Sequence, residues 1–334
     1  MPVVWSDQCR LHEPLAEIWI GTRTPATEVP ERIDAIRAAL DARVVAAEPH
    51  DDEALLAVHD AELVEYLAGA WREWEAAGLE QDRVVPYVFA HEALGARAEP
   101  VAVWARPGLY AYDTMTLIGP GTWEAARAAV DVALTAVDLV RAGEPAAYAC
   151  GRPPGHHATR RGYGGSCYLN NAAVAARALG GRVAVLDLDA HHGNGTQAIF
   201  WDDPSVLVGS VHVDPGAGWF PHFLGFPDET GADGSNRNVT LAPGSGDAEW
   251  LEAVRGLAAW ADDAEAVVVS LGVDAAEGDP ESPLRVSPAG FREAGRVVGA
   301  LGRPTVFAQE GGYDLATTGA LVREVLLGFE ESRS

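Results

Sequence analysis

Two parts of the chain carry residues that could bind a metal ion and activate water. The segment from Asp187 to Gln197 reads D-L-D-A-H-H-G-N-G-T-Q and follows an apolar run. Asp189 and His191 are two residues apart, so an extended backbone presents both side chains on one side. With Asp274, which follows another apolar run, they would supply three nitrogen and oxygen ligands and leave a fourth position for water. We predict a catalytic metal site that suits zinc, although iron or cobalt would fit the same ligands.

Two further groups of polar residues could complete this site. The tandem His156-His157 follows two prolines and a glycine, which restrict the backbone. One imidazole could act as a general base toward water, because the pKa of histidine lies near neutral pH. Tyr313 follows two glycines, and its hydroxyl could donate to a developing oxyanion. A lone tyrosine or a lone histidine pair is weak evidence, so this prediction depends on their occurring together with the metal ligands.

These polar residues border apolar runs that are typical of buried parallel strands. Runs of Val, Ile and Leu without alternation suit a parallel sheet that is covered on both faces. We predict strands at Ala146 to Cys150, Arg182 to Asp189, Ser205 to Val213, Ala264 to Leu271 and Pro304 to Gln309. We predict helices at Trp123 to Ala142, Asn171 to Leu179, Asp247 to Ala261 and Pro288 to Leu301. This alternation predicts an α/β sandwich in which the carboxyl ends of the strands bring the polar residues together.

The composition excludes several classes of function. The chain has 334 residues and a formal net charge of −25, and all 24 of its cationic side chains are arginine. Without lysine there is no P-loop lysine and no side-chain amine for Schiff-base chemistry. The negative charge disfavours nucleic acid and anionic membranes as partners, and it favours a cationic or neutral small substrate.

The cysteines and the apolar runs indicate the cellular compartment in which we expect the protein. Cys9, Cys150 and Cys167 form neither a disulfide framework nor a cysteine zinc cluster. We see no basic-then-apolar leader and no apolar run long enough for a membrane span. We therefore expect a reduced, cytoplasmic protein.

One segment differs from the rest in composition. Residues Leu79 to Thr116 contain aromatic and proline residues with weak periodicity. We interpret them as an insertion within a single domain of residues 1–334. Irregular segments of this length more often form functional sites or interfaces than serve as simple connections.

Taken together, the motifs resemble those of the zinc-dependent deacetylase superfamily, which includes histone deacetylases and bacterial acetylpolyamine amidohydrolases. The matching segments are R-P-P-G-H-H-A (Arg152 to Ala158), C-Y-L-N-N-A-A-V-A-A (Cys167 to Ala176), D-L-D-A-H-H-G-N-G-T-Q (Asp187 to Gln197), S-V-H-V-D-P (Ser210 to Pro215), V-S-L-G-V-D (Val269 to Asp274) and E-G-G-Y (Glu310 to Tyr313). The acetylpolyamine amidohydrolase branch is most similar, because of P-G-T-W-E-A-A (Pro120 to Ala126), F-P-H-F-L-G-F (Phe220 to Phe226) and the insertion. The resemblance implies an arginase-like three-layer α/β sandwich with a central, mainly parallel sheet. It also implies a homodimer whose interface includes the insertion, which narrows the channel to the metal.

The resemblance implies a role for each matching residue. The three ligands named above would bind zinc. His157 would be the general base and His156 its electrostatic partner, with Asp187 bonded to His156 and Asn194 orienting His157. Tyr313 would hold the oxyanion.

The family also binds potassium. The implied ligands are Asp187, Asp189, His191, Ser210 and Val211, of which His191 and Val211 would use main-chain oxygens. A second alkali-metal site would use Phe200, Asp203 and Val206.

The substrate channel is where the sequence departs from the family. The implied channel residues are Glu17, Met115, Ser166, Tyr168 and Gly311. Ser166 occupies a position at which the family usually has an aromatic residue that forms one wall of the channel. The smaller serine side chain should widen the channel. Glu17 matches an acidic residue of the family that holds a distant ammonium group of the substrate. Met115 aligns with a second such glutamate, and the nearest acidic residue is Asp113, two positions before Met115.

The resulting prediction is a zinc amidohydrolase that converts a small N-acetylated amine to the amine and acetate. The alternatives are a deacetylase of acyl-lysine proteins, which the insertion disfavours, and a deacetylase of a metabolite other than a polyamine. An arginase-type ureohydrolase would need a different ligand pattern without the histidine pair and Tyr313. A non-catalytic binder of acyl ligands would be expected to lack those same residues.

Overall fold

The computed structural model of the protein describes residues 1–91, 93 and 98–333. Its strands are β1 (Val3–Trp5), β2 (Glu17–Trp19), β3 (Thr22–Thr24), β4 (Val44–Ala46), β5 (Ala146–Ala149), β6 (Val183–Asp187), β7 (Val206–Val213), β8 (Asn236–Leu241), β9 (Ala266–Leu271) and β10 (Thr305–Gln309). Eight of them form one sheet in the order β4-β1-β5-β10-β9-β6-β7-β8. Every neighbouring pair in this sheet is parallel, whereas β2 and β3 form a separate antiparallel hairpin.

The α-helices are α1 (Glu31–Ala39), α2 (Glu53–Leu56), α3 (Ala61–Ala76), α4 (Pro107–Tyr110), α5 (Thr122–Arg141), α6 (Asn171–Leu179), α7 (Asn194–Phe200), α8 (Asp247–Trp260), α9 (Pro288–Ala300) and α10 (Thr318–Ser332). Helices α5 and α6 pack against each other, and α8, α9, α10 and α1 form a second packed group. The chain crosses the sheet in one direction from β5 through α6 to β6, and it returns from β8 through α8 and α9 to β10. Right-handed crossovers in opposite directions place their helices on opposite faces, so the predicted three-layer sandwich is confirmed.

All five predicted strands are present, with ends that differ by a few residues. The prediction Arg182 to Asp189 extended past β6, because Leu188 and Asp189 already belong to the loop that follows it. The hairpin strands β2 and β3 lie outside the predicted set, as do three strands of the large sheet, β1, β4 and β8. Strands β1 and β4 have only three residues each, and β8 reads N-R-N-V-T-L, a polar pattern that does not resemble a buried strand. Among the described residues, no helix is long and apolar enough to cross a membrane.

The predicted insertion, residues 79–116, lies beside the carboxyl edge of the sheet. It contains a 3-10 helix at Val103–Ala105 and the short helix α4, and residues 92 and 94–97 lie outside the described residues. At its end, Ala111 pairs with Tyr163 in a parallel bridge. This bridge connects the insertion to the loop that follows the histidine pair.

Candidate active site with a metal-ligand cluster

The ends of four adjacent strands position the predicted site. Strands β5, β10, β9 and β6 are neighbours in the sheet, and all four run in the same direction. The loop after β5 carries His156 and His157, and the loop after β10 carries Tyr313. Asp274 follows β9, whereas Asp189 follows β6. The carboxyl ends of these strands therefore bring together residues that are far apart along the chain.

Asp189, His191 and Asp274 form a group whose ligand atoms all lie within 4.8 Å of one another. Nδ1 of His191 lies 3.0 Å from Oδ2 of Asp274 and 3.3 Å from Oδ1 of Asp189. The carboxylates are oriented by backbone N–H groups, because Ala190 donates to Asp274 (2.8 Å) and Gly311 donates to Asp189 (2.7 Å). Both carboxylates are buried. The donor set, one imidazole and two carboxylates, matches a three-ligand zinc site with an open position.

The electrostatics of this cluster favour a positive charge at its centre. Burial lowers the pKa of His191, but its hydrogen bonds to Asp189 and Asp274 and their charges raise that pKa well above the usual value. Burial and the charge of Asp189 raise the pKa of Asp274 to about 7. Two buried carboxylates this close together need a compensating cation.

The backbone passes so close to the buried carboxylates that glycine is required at the points of contact. A Cβ atom on Gly272 would lie 2.1 Å from Oδ2 of Asp189, and one on Gly311 would lie 2.6 Å from the same atom. A Cβ atom on Gly193 would lie 2.1 Å from Oδ2 of Asp187. These distances are shorter than any ordinary contact, so glycine is needed for the backbone to pack against the carboxylates.

The two histidines of the tandem differ in their environments. Nδ1 of His156 lies 2.9 Å from Oδ2 of Asp187, and its ring lies 4.0 Å from that of His157. Burial lowers the pKa of His156, but the charges of Asp187 and Asp189 outweigh it and raise that pKa to about 10. Nδ1 of His157 lies 2.7 Å from Oδ1 of Asn194. Burial and the charge of His156 lower the pKa of His157 well below its usual value, so His157 is neutral beside a cationic His156.

Tyr313 is held by a buried network that the sequence analysis did not predict. Arg32 donates to the backbone oxygens of Gly312 (2.7 Å) and Glu310 (2.6 Å), and its guanidinium lies over the Tyr313 ring. Glu28 accepts from Arg32 at 2.8 Å and from Arg152 at 2.9 and 2.5 Å. At the sequence level, Glu28 and Arg32 look like an exposed pair four residues apart at the start of a helix, so only their burial identifies them.

A cavity of about 520 Å³ opens onto this cluster. Its deep wall includes His157, His191 and Tyr313, and the carboxylate-bearing residues Glu17 and Glu281 also line it. Of the five expected channel residues, the cavity wall contains Glu17, Met115 and Ser166. Glu281 was not predicted, because it lies in a loop without a recognisable motif.

Two of the five residues that were assigned to the channel, Tyr168 and Gly311, do not line the cavity, and neither does Asp113. Tyr168 is in the core, where its hydroxyl donates to the backbone oxygen of Leu117. Gly311 is buried against the metal-ligand carboxylates. Both oxygens of Asp113 accept hydrogen bonds within its own turn and from Gly165, so this carboxylate holds a loop instead of facing the cavity.

The residues implied for potassium include two members of the metal-ligand cluster, Asp189 and His191. Asp187 and Ser210 are in register on β6 and β7, and both are buried. Oγ of Ser210 lies 2.8 Å from Nδ1 of His212. At the other implied site, the Asp203 carboxylate accepts from Arg177 at 2.8 Å and from Ser205 at 2.6 Å, close to Phe200 and Val206.

His156, Cys167 and Glu310 form a second group that could hold a metal by distance alone. Its chemistry does not fit, because burial raises the pKa of the Cys167 thiol well above its usual value. One oxygen of Glu310 also accepts from the backbone N–H groups of Gly155 (2.6 Å) and His156 (3.1 Å). These residues are better described as support for the histidine loop.

Comparisons with known proteins agree with this geometry. Residues 26–329 match the histone deacetylase domain family. The chain is 40% identical to acetylpolyamine amidohydrolase 1 of Pseudomonas aeruginosa, with 98% of each chain covered. It is 39% identical to the acetylpolyamine amidohydrolase of Mycoplana ramosa, with 98% of this chain and 99% of that one covered. The crystal structure of an acetylpolyamine aminohydrolase from Burkholderia pseudomallei superposes with a TM-score of 0.93 at 37% identity, covering 99% of both chains. The protein therefore belongs to the histone deacetylase domain family.

Proposed function

We propose that the protein is a zinc-dependent amidohydrolase that removes the acetyl group from a small N-acetylated amine, with acetylated polyamines as the substrate class. The observation that carries the proposal is the convergence of the metal-ligand cluster, a neutral His157 and Tyr313 on one cavity. The names of the relatives at about 40% identity support the substrate class.

The metal would be held by Asp189, His191 and Asp274. The donor set and the excess negative charge at its centre fit a divalent cation, and zinc suits three nitrogen and oxygen ligands. When bound, zinc would polarise the amide carbonyl and lower the pKa of water. Iron or cobalt in the same ligands would supply the same chemistry.

The protein's own residues would carry the protons. His157 is neutral, so Nε2 can take a proton from the attacking water, and His156 remains cationic beside it. The Tyr313 hydroxyl can donate to the oxyanion that forms from the acetyl carbonyl. As the C–N bond breaks, a histidine returns the proton to the leaving nitrogen. The products are acetate and the free amine, which balances the addition of one water.

The cavity supports a substrate with a positive charge away from the acetyl group. Glu17 and Glu281 line it, and neither carboxylate forms an ion pair with any described residue. Burial and the charge of Glu281 raise the pKa of Glu17 to about 7, which places the two carboxylates in each other's field. A polyamine ammonium group would relieve this repulsion. Thus Glu281 can supply a charge that Met115 lacks.

A potassium ion would bind at Asp187, Asp189, His191, Ser210 and Val211. The supporting observation is that Asp187 and Ser210 are buried side by side on neighbouring strands. A second ion at Phe200, Asp203 and Val206 is part of the same proposal. Retained activity and thermal stability when sodium replaces potassium would argue against both ions.

We further propose a homodimer in the cytoplasm, with the insertion at the dimer interface. The insertion exposes several large apolar side chains, namely Tyr87, Val88, Phe89, Val101 and Trp104. Apolar groups clustered on one segment are typical of protein interfaces. The three cysteines are free, as expected in a reducing compartment. Light scattering would test the dimer, since a monomeric mass at micromolar concentration would contradict it.

The first experiment is an assay of acetate release by the zinc-loaded protein. The panel contains acetylputrescine, acetylspermidine, the neutral analogue N-butylacetamide and an acetyl-lysine peptide. We expect the acetylated polyamines to have the highest kcat/KM. A preference for the peptide or for the neutral amide would mean that acetylated polyamines are not the substrate class. If no compound released acetate, the proposal that the protein is a deacetylase would be contradicted.

A further inference from the structure

The peptide group between Gly312 and Tyr313 is held at both ends by charged side chains. Its carbonyl oxygen accepts a hydrogen bond from Nε of Arg32 at 2.7 Å. Its N–H group donates to Oδ2 of Asp279 at 2.8 Å. Both side chains are buried, so water competes little for either hydrogen bond. A cation on the oxygen and an anion on the N–H group match the dipole of the peptide, and together they fix its plane.

The backbone before this peptide supplies little restraint of its own. Gly311 and Gly312 precede the tyrosine, and glycine has more accessible backbone conformations than any other residue. Gly312 has a φ of 122°, and a Cβ atom there would lie 2.5 Å from Oγ1 of Thr318 and 2.5 Å from Cγ2 of Val273. A larger residue therefore cannot replace it to stiffen the chain. Rotation of the next peptide changes φ of the tyrosine, and the hydrogen bonds to that peptide are what limit the rotation.

Asp279 reaches this peptide from the loop after β9. Its Oδ1 accepts from the backbone N–H of Glu281 at 3.0 Å, and its Oδ2 also accepts from the backbone N–H of Asp314 at 3.4 Å. Pro280 and Glu281 line the cavity, whereas Asp279 does not. The carboxylate thus lies behind the cavity wall and joins that wall to the loop that carries Tyr313.

We propose that Asp279 is a positioning residue, whose carboxylate holds the Gly312–Tyr313 peptide in the orientation that directs the Tyr313 hydroxyl to the acetyl oxygen. The inference rests on the proposed deacetylase function. In the sequence, Asp279 is part of G-D-P, a run that is typical of a turn and carries no chemistry by itself. Asp279 acts through Tyr313 and does not touch the substrate.

The kinetic experiment compares Asp279→Ala with Asp314→Ala in the zinc-loaded protein. Asp314 is a matched control, because its carboxylate accepts from the backbone N–H of Ala316 (3.1 Å) and from the Thr317 hydroxyl (2.8 Å) in the same loop as Tyr313. We expect Asp279→Ala to lower kcat about ten-fold, because the peptide loses a charge-assisted hydrogen bond, while KM stays nearly unchanged. Asp314→Ala should match wild type, and equal kcat in the two variants would overturn the proposal.

The choice of substrate separates Tyr313 from Glu281, since Asp279 is bonded to the backbone of both. If Asp279 acts through Tyr313, then kcat should fall equally for acetylputrescine and for the neutral N-butylacetamide. A loss confined to acetylputrescine would mean that Asp279 acts through the charge of Glu281 and would overturn the proposal.

A double variant separates positioning from a general loss of packing. In a Tyr313→Phe background the hydroxyl that Asp279 positions is absent, so Asp279→Ala should have little further effect on kcat. Losses that multiply would mean that the two side chains act independently, and the proposal would then be wrong.

Hydrogen exchange tests the same contact without turnover. Labelling with ¹⁵N-tyrosine marks the eight tyrosine amides, and Tyr313→Phe identifies the Tyr313 signal. We expect this amide in wild type to exchange about 100-fold more slowly than in an unstructured peptide, because its hydrogen bond is buried. In Asp279→Ala it should exchange at least about ten-fold faster, while the amide of Tyr148 in β5, which donates to Pro2 at 3.0 Å, should not change.

Unprotected exchange of the Tyr313 amide in wild type would overturn the inference, even if Asp279→Ala does not fold. Exchange at the wild-type rate in Asp279→Ala would overturn it as well. These rates can be measured even if no compound of the panel releases acetate, so failure of the proposed function is distinguishable from failure of this inference.

Discussion

The guanidinium group of Arg32 lies over the ring of Tyr313, 4.6 Å from the ring centre. The same side chain donates two hydrogen bonds to the backbone of the loop that carries Tyr313. One arginine from the first helix therefore holds both the aromatic ring and the loop at the far end of the chain. The buried Glu28 forms ion pairs with both Arg32 and Arg152.

Replacing Arg32 should affect both stability and turnover. We expect Arg32→Gln to lower the free energy of unfolding by about 3 kcal/mol, because it removes one partner of a buried ion pair. Turnover should fall as the Tyr313 loop loses its two donors. Urea denaturation measures the first effect. Arg10→Gln is the control, since Arg10 pairs with Asp34 at the surface (3.1 Å) and should change stability by less than about 1 kcal/mol. Equal effects of the two variants would contradict the role of the network.

Tyr313→Phe should separate catalysis from binding and folding. The Tyr313 hydroxyl forms no hydrogen bond with a described residue, so its loss should leave the melting temperature and the zinc content unchanged. We expect kcat to fall by about 100-fold, the usual loss when one oxyanion donor is removed. Steady-state kinetics beside elemental analysis of bound zinc tests this. Full activity in a zinc-loaded Tyr313→Phe protein would rule out the oxyanion role.

Glu281→Gln should weaken the binding of cationic substrates alone. Removing one carboxylate from the cavity should raise KM for acetylputrescine about ten-fold, the range of a charge-assisted hydrogen bond, and leave KM for N-butylacetamide unchanged. Glu277→Gln serves as the control, because Glu277 is exposed in the same loop and does not line the cavity. A rise in KM for both substrates would mean that Glu281 shapes the cavity instead of recognising charge.

The pKa of Glu17 predicts how substrate binding depends on pH. Burial and the charge of Glu281 raise this pKa to about 7, so Glu17 is neutral at lower pH and negative at higher pH. KM for acetylputrescine, relative to KM for N-butylacetamide, should therefore fall as pH rises from about 6 to about 8. Glu17→Gln should remove this dependence. A constant ratio of the two KM values across the wild-type range would show that Glu17 does not contact the ammonium group.

The metal cluster can be tested without any substrate. Zinc in 100-fold excess over its Kd should stabilise the wild-type protein by about 2.7 kcal/mol, because it binds only the folded state. Asp274→Asn removes one ligand charge and should abolish most of that gain. Asp262→Asn, an exposed carboxylate, should behave like wild type. Differential scanning calorimetry with and without zinc measures the effect, and an equal gain in Asp274→Asn would contradict the ligand assignment.

The central features of the protein could be predicted from its amino-acid sequence. Unbroken apolar runs that alternate with amphipathic stretches predicted buried strands of a parallel sheet with helices on both faces, and the structure confirms that fold. The residues after β6 and β9 lie at the same edge of the sheet, and Asp189, His191 and Asp274 meet there because β6 and β9 are neighbours. These predictions depended on local periodicity and on the edge of the sheet at which parallel strands end.

Which polar side chains face the cavity and which support the site became visible in the folded chain alone. Tyr168 and Gly311 have motif neighbours that pointed to the channel, yet the Tyr168 side chain packs in the core and the Gly311 backbone packs against the carboxylates. Arg32 reaches the loop of Tyr313 from a segment without a motif, through contacts between distant parts of the chain. Sequence spacing reports the local backbone, whereas the direction and burial of a side chain depend on the neighbours that folding brings to it.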